Sequence, residues 1–106
     1  MYIVNEDDWK LFKEKLPLWQ ERYIKKCLDH YFSILNRNDN PSNIFYELLG
    51  TIIKDKNHPG VAIDRCSRSN MLDIIDTLIR SNVITISDLK GFTEPLITTI
   101  NMMNKR

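Results

Sequence analysis

Apolar residues recur along this chain in the three-to-four-residue rhythm of amphipathic helix, interrupted by short polar or proline-bearing stretches. Asn5 and Asp8 have the spacing of a capping pair, and Glu6, Asp7 and Asp8 place negative charge where a helix begins. The pattern predicts a first helix from there, carrying Trp9 and Phe12 on one side. It should end near Leu16, because Pro17 disfavours helical geometry at the residue before it. Pro17 then opens the longest helix, to about Arg37, with Leu16–Pro17 a sharp corner or a kink. At about 100° per residue, Leu16, Trp19, Tyr23, Ile24, Cys27, Leu28, Tyr31, Ile34 and Leu35 fall on one broad face of it. Arg22, Lys25, Lys26 and Asp29 fall opposite.

NRNDNPSN reads as a loop, and Asn40 before Pro41 is a good helix entry, since proline at the first helical position gives up no needed hydrogen bond. In the helix that follows, Ile44, Phe45, Leu48, Leu49, Ile52 and Ile53 form a stripe expected to face a core. Lys54 and Lys56 suit its C-terminal turn, and His58-Pro59-Gly60 ends it. A fourth helix is predicted from about Ser69 to Ser81, with Val83 continuing its apolar surface. Thr85 to Asp88 has the form of a capping box that starts a short helix through Leu89 to Phe92. Thr93-Glu94-Pro95 opens a last helix carrying Leu96, Ile97, Ile100 and Met103. The expectation is a single all-α domain, residues 1–106, built as a small bundle of five or six short helices; the β-branched runs at 51–53 and 83–85 are too few for a sheet.

Composition narrows the function classes. At 106 residues the chain fits one core, and 15 basic against 14 acidic residues leave a net charge of +1. That balance lacks the strong positive field of a general nucleic-acid binder and the negative one of a DNA mimic. The opening MYIVNEDDW carries acids where a secretory signal needs bases, and no apolar run approaches the roughly 20 residues that span a bilayer. The expected location is the cytoplasm, where Cys27 and Cys66 would be reduced thiols.

No catalytic or cofactor signature stands out. Cys27, His30, His58 and Cys66 satisfy the ligand count of a zinc site, but their spacing does not match short-loop zinc modules, so no metal is expected. Cys66 as a nucleophile would have His58 as its only base in the same loop. The segment from His58 to Met71, HPGVAIDRCSRSNM, is the long stretch that helix packing does not explain. There Arg65 and Arg68, with donors from Ser67, Ser69 and Asn70 at a helix start and Lys54 and Lys56 ending the preceding helix, make a candidate site for an anionic or acidic partner. The competing reading has Ser69 or Asn70 as a helix cap and the arginines solvated or paired to Asp64 or Asp73. Tyr46, Phe32 and Leu18 lie off the main stripes and are candidate exposed groups; Phe32 and Tyr46 mark a candidate interface if they cluster with others.

DWKLFKEKLPLWQERY, NPSNIFYELL, PGV with RSNM, and VITISDLKGF together resemble small uncharacterised helical proteins of Gram-positive gut bacteria. The resemblance implies no activity; some of those proteins are labelled multidrug transporters, a label at odds with a chain that has no membrane span. RCSRSNM departs from their pattern by a cysteine and two serines around its arginines. The reading that follows is a cytoplasmic, non-enzymatic bacterial module that binds a macromolecular partner, most simply a protein. Regulators and inhibitors from phage or mobile elements, for example inhibitors of CRISPR nucleases, are chains of this kind. The alternative is nucleic-acid or phosphate-ligand binding through the Arg65/Arg68 loop.

Overall fold

One helix organises the molecule. The computed structural model describes residues 2–63 and 65–105, and its first element, α1, runs unbroken through Glu6–Leu35. Asn5 caps it as predicted, its Oδ1 accepting from the backbone N–H of Asp7 at 2.7 Å and of Asp8 at 3.4 Å. The expected break at Leu16–Pro17 does not occur. Pro17 and Lys13 both face solvent, so the carbonyl that loses its helical partner is on the water side, while Leu16 and Trp19 are buried and hold the flanking turns.

Three further α-helices follow: α2 (Pro41–Lys56), α3 (Met71–Arg80) and α4 (Glu94–Asn104). Two 3-10 turns, Arg68–Asn70 and Ile86–Leu89, take the place of the start of the predicted fourth helix and of the predicted short helix. The chain is all-α, with four α-helices among the described residues rather than five or six. The Thr85 capping box is present, with the backbone N–H of Thr85 donating to Asp88 Oδ2 at 2.8 Å. α3 closes with Asn82 in the left-handed region (φ 62°). The N–H of Val83 reaches the carbonyl of Leu78 at 2.9 Å and that of Asn82 reaches Ile79 at 3.1 Å, while the Leu78 and Val83 side chains are buried.

The four helices divide the molecule into a head and a hairpin. The head packs α3, α4 and the two turns on the N-terminal half of α1, around Phe12, Leu16, Trp19, Met71, Ile75, Leu78, Leu89, Phe92, Leu96 and Ile100. Asp8, read from sequence as the second member of the Asn5 capping pair, instead turns inward. Its buried carboxylate accepts from Tyr2 Oη at 2.8 Å and from Thr93 backbone N–H (2.9 Å) and Oγ1 (2.6 Å), pinning the start of α4 to α1. Arg22 donates through both guanidinium NH2 groups to Asp88, fixing the Ile86–Leu89 turn to the same helix.

The hairpin is the C-terminal half of α1 with α2, joined by residues 36–40, and it projects from the head. The extents are 55 × 24 × 19 Å and the radius of gyration is 16.8 Å, against about 13 Å for a compact chain of this length. Ile44, Leu48, Thr51 and Asp55 form the half-buried stripe of α2; Tyr31 Oη of α1 donates to Asp55 Oδ2 (2.6 Å), and Arg37 of the connecting loop donates to Glu47 (2.6 Å). No residue of α2 is buried, although all sixteen are described. The stripe expected to face a core thus covers α1 only with Ile44 and Leu48. The broad face predicted for α1 is likewise divided, with Cys27 and Ile34 buried, Tyr23, Ile24 and Tyr31 half-buried, and Leu28 and Leu35 exposed. No strand occurs among the described residues, and no helix there is long and apolar enough to cross a membrane.

Candidate functional site

Two places compete as sites, and their geometry separates them. In the 58–71 segment, the polar side chains largely satisfy one another. Asn70 Oδ1 accepts from the backbone N–H of Ser67 at 2.8 Å while its Nδ2 donates to the carbonyl of Arg65 at 3.1 Å, and the Ser67 and Ser69 hydroxyls lie 3.0 Å apart. Arg68 donates from Nε and a guanidinium NH2 to the two oxygens of Glu6, at 2.7 and 3.1 Å, and stacks 5.4 Å above the Trp9 ring. That hydrogen bond holds the Glu6 carboxyl below its ordinary range and raises the arginine. The partner is therefore Glu6, across 62 residues, and not Asp73; a pairing with Asp64 lies outside the described residues. Arg65 is exposed. Lys54 is exposed on α2, and Lys56 lines the groove between α1 and α2.

The start of the segment is fixed to α1. The His58 ring stacks on Tyr23 (centroids 4.6 Å apart, planes 5° apart), and its Nδ1 accepts from the N–H of Gly60 at 3.0 Å. A Cβ at Gly60 would collide with Tyr23 Cδ2 and its ring neighbours, so only glycine fits against that ring. The segment reads mainly as a strap that ties α2 back to the head.

The cysteines are free, and neither is set up as a nucleophile. Burial, then the Asp55 carboxylate, pushes the Cys27 thiol up; desolvation does the same to Cys66. A reactive thiol needs the opposite shift. No group of three His, Cys, Asp or Glu among the described residues could hold a metal ion. A cleft of about 410 Å³ beside the Ile86–Leu89 turn carries Lys15, Arg22 and Lys90, with Arg22 already neutralised by Asp88.

The second place is the outer surface of the hairpin. Phe32 and Tyr46, singled out from sequence, are exposed, and they do not stand alone. Leu28, Phe32 and Leu35 follow i, i+4, i+7 spacing on α1, and Phe45, Leu49 and Ile52 do so on α2, with Ile53 and Tyr46 beside them. Exposure runs from 41% at Ile52 to 69% at Tyr46, far above what a core stripe would show. At 100° per residue, and with α2 antiparallel to α1, both stripes emerge on the same side of the α1–α2 seam. Ile24 of α1 and Ile52 of α2 confirm that sense by lining one groove of about 130 Å³ with Cys27, Tyr31 and Lys56. At the outer end the Phe45 and Tyr46 rings meet edge to face at 5.2 Å. The result is one continuous apolar face of two helices. Sequence reasoning assigned most of it to the core, and the missed signal was that α2 carries more apolar residues than one contact with α1 can cover. Leu18, the third off-stripe residue, is exposed on the head half of α1, apart from this face.

Comparison with protein-family models, with curated proteins and with solved structures finds no match to this chain.

Proposed function

We propose that this chain is a small cytoplasmic protein-binding module of the regulator or inhibitor kind, and that it docks its partner with the apolar face of the α1–α2 hairpin. The carrying observation is that face itself: eight large apolar side chains exposed together on two packed helices, next to a head that buries most of its own and, among its described large apolar side chains, exposes only Ile3, Leu18 and Met102. Monomeric proteins rarely expose contiguous apolar surface of this extent, and where they do it marks an interaction site. Phe, Tyr, Leu and Ile set on a rigid helical frame are the anchors that protein interfaces use, and their ordering cost is low because the helices are already formed. The thiols shifted away from reactivity and the arginine absorbed by Glu6 support binding over chemistry.

Site-specific photo-crosslinking in the native host tests the reading. A photoreactive side chain in place of Tyr46 or Phe32 should give a protein adduct, and one in place of Lys26, on the polar side of α1, should not. Adducts of equal yield from both sides, or from neither, would refute a docking role for this face.

A further inference from the structure

We infer that the occupant of the hairpin face is a second copy of this chain, the two hairpins packing face to face into a four-helix bundle. This inference rests on the reading of that face as a docking surface and names its partner.

The area fits. Taken at their fractional exposures, the six side chains of the two stripes offer roughly 650 Å² per copy, and with Ile53 and Tyr46 beside them roughly 900 Å², values that bracket the ~800 Å² that each partner contributes to a standard interface. The architecture fits as well. Two antiparallel helices with one face uncovered are half of a four-helix bundle, and an isologous pairing covers both faces with the same patch and then closes, leaving no apolar stripe for a third copy. In the antiparallel pairing, the tip of one hairpin, with Phe45, lies over the Ile24–Ile52 groove at the base of the other, and the two heads sit at opposite ends.

Charge agrees with self-pairing. The residues bordering the face carry both signs, Glu21, Lys25 and Asp29 on α1 and Lys56 on α2, and Lys25 is already paired with Asp29 at 2.5 Å. With a net charge of +1, two copies meet without appreciable repulsion. A strongly acidic or basic partner would find no matching field on this rim.

Sedimentation equilibrium of the purified chain from about 0.5 to about 200 µM, a span that brackets micromolar self-association, tests the inference. The expected result is a concentration-dependent rise from 12.6 kDa to twice that mass. Leu49→Lys should weaken the dimer at least about a hundredfold, because it puts a charge at the centre of the face. Phe45→Ser should weaken it about tenfold or more, and Lys26→Gln should leave it unchanged. Leu49 is exposed and lysine is a good helix former, so circular dichroism of the variants should keep the wild-type helix signal. A wild-type monomer across the whole range overturns the inference, and so does a dimer that Leu49→Lys leaves intact. If a monomeric chain crosslinks from position 46 to a different protein, the second-copy assignment falls while the docking surface stands. If it crosslinks to nothing and co-sediments with phosphatidylglycerol vesicles, both fall.

Discussion

The head and the hairpin are built from the same kinds of residue, yet the head buries most of its large apolar side chains, leaving out Ile3, Leu18 and Met102, and the hairpin displays most of its own. In the head, Phe12, Met71, Ile75, Leu78, Leu89, Leu96 and Ile100 are fully buried, and Asp8 is buried with them because three donors satisfy it. In the hairpin no side chain is buried as completely; Cys27 and Ile34, both on α1, come nearest. The difference is one of geometry. The N-terminal half of α1 is surrounded by α3, α4 and two turns, whereas its C-terminal half has α2 and, at its base only, the strap residues His58, Gly60 and Val61, and these cannot cover the apolar stripes of both helices. A domain whose free-standing stability comes from its head can leave its second half to be completed from outside.

The largest effect that can break this comparison is an aspartate placed in each region. Ile75→Asp puts an unpaired charge into the head core and should unfold the protein, a loss of several kcal/mol. Leu49→Asp, at sub-micromolar concentration where self-association does not contribute, should cost only about 1 kcal/mol, since nearly half of that residue is already exposed and the loss is mainly one of helix propensity. Leu48→Asp should fall between them, because Leu48 is half-buried on α1 and not in a core. Urea unfolding followed by circular dichroism, which reports both regions, reads all three; tryptophan emission, which reports the head, should respond to Ile75→Asp alone. Equal losses at 49 and 75 would mean that α2 folds onto the head in solution.

How far these regions could be read from sequence follows from how local their causes are. The Thr85–Asp88 capping box, the Asn5 cap and the Asn40–Pro41 entry were legible because each is decided within four residues. Pro17 misled for the same reason: the local rule predicts a break, but the proline's solvent-facing side and the buried Leu16 and Trp19 carry the helix through. The Asp8–Thr93 and Arg68–Glu6 contacts span 85 and 62 residues, and no local pattern announces them. Periodicity found the α2 stripe correctly but could not say whether anything stands in front of it, so Phe45, Leu49 and Ile52 were assigned to a core. Phe32 and Tyr46 were recognised as exposed only because they lie off the main stripes.

A smaller effect sharpens the comparison through pH, because the two regions are tied by groups that titrate at opposite ends of the scale. In the hairpin, burial, then the hydrogen bond to Asp55 and that carboxylate's charge, holds the Tyr31 phenol above its ordinary value of 10.0. The fold favours the protonated form, so this tie is intact below pH 10 and is lost as pH rises beyond it. In the head, the Arg22 hydrogen bond, opposed by burial and helped by the Thr85 N–H, holds Asp88 below its ordinary value of 3.8. That contribution is intact above pH 4 and is lost as pH falls through the lowered value. Trp9 and Trp19 both lie in the head core, so their emission reports the head while circular dichroism reports both regions. Above pH 10 part of the helix signal should disappear, and Tyr31→Phe should remove the hairpin's share of that loss. Tyr2, whose phenol burial and Asp8 likewise hold up in the head, titrates on the same side, so the emission maximum should stay unmoved only in a Tyr2→Phe background. Acid should move both signals together, less steeply in Arg22→Gln.

The smallest effect separates two glycines. Gly60, where the strap meets α1, faces the Tyr23 ring, and any Cβ there collides with it, so Gly60→Ala should destabilise the junction. Gly50 sits mid-helix in α2 beside Tyr46 and Ile53, and a Cβ built on it meets nothing within 4 Å. An exposed glycine in a helix interior costs about 0.5–1 kcal/mol relative to alanine, because the unfolded chain has more freedom to lose and the folded helix gains no contact. In the isolated chain Gly50→Ala should therefore raise hairpin stability by about that amount, read as a later helix melt with unchanged tryptophan emission. If the substitution instead gives no gain at low concentration, the space in front of α2 is already filled within one chain. If the gain appears in the monomer but the dimer weakens, Gly50 is where the second copy's backbone comes closest, and the docking face extends beyond its apolar stripes to the bare edge of the helix.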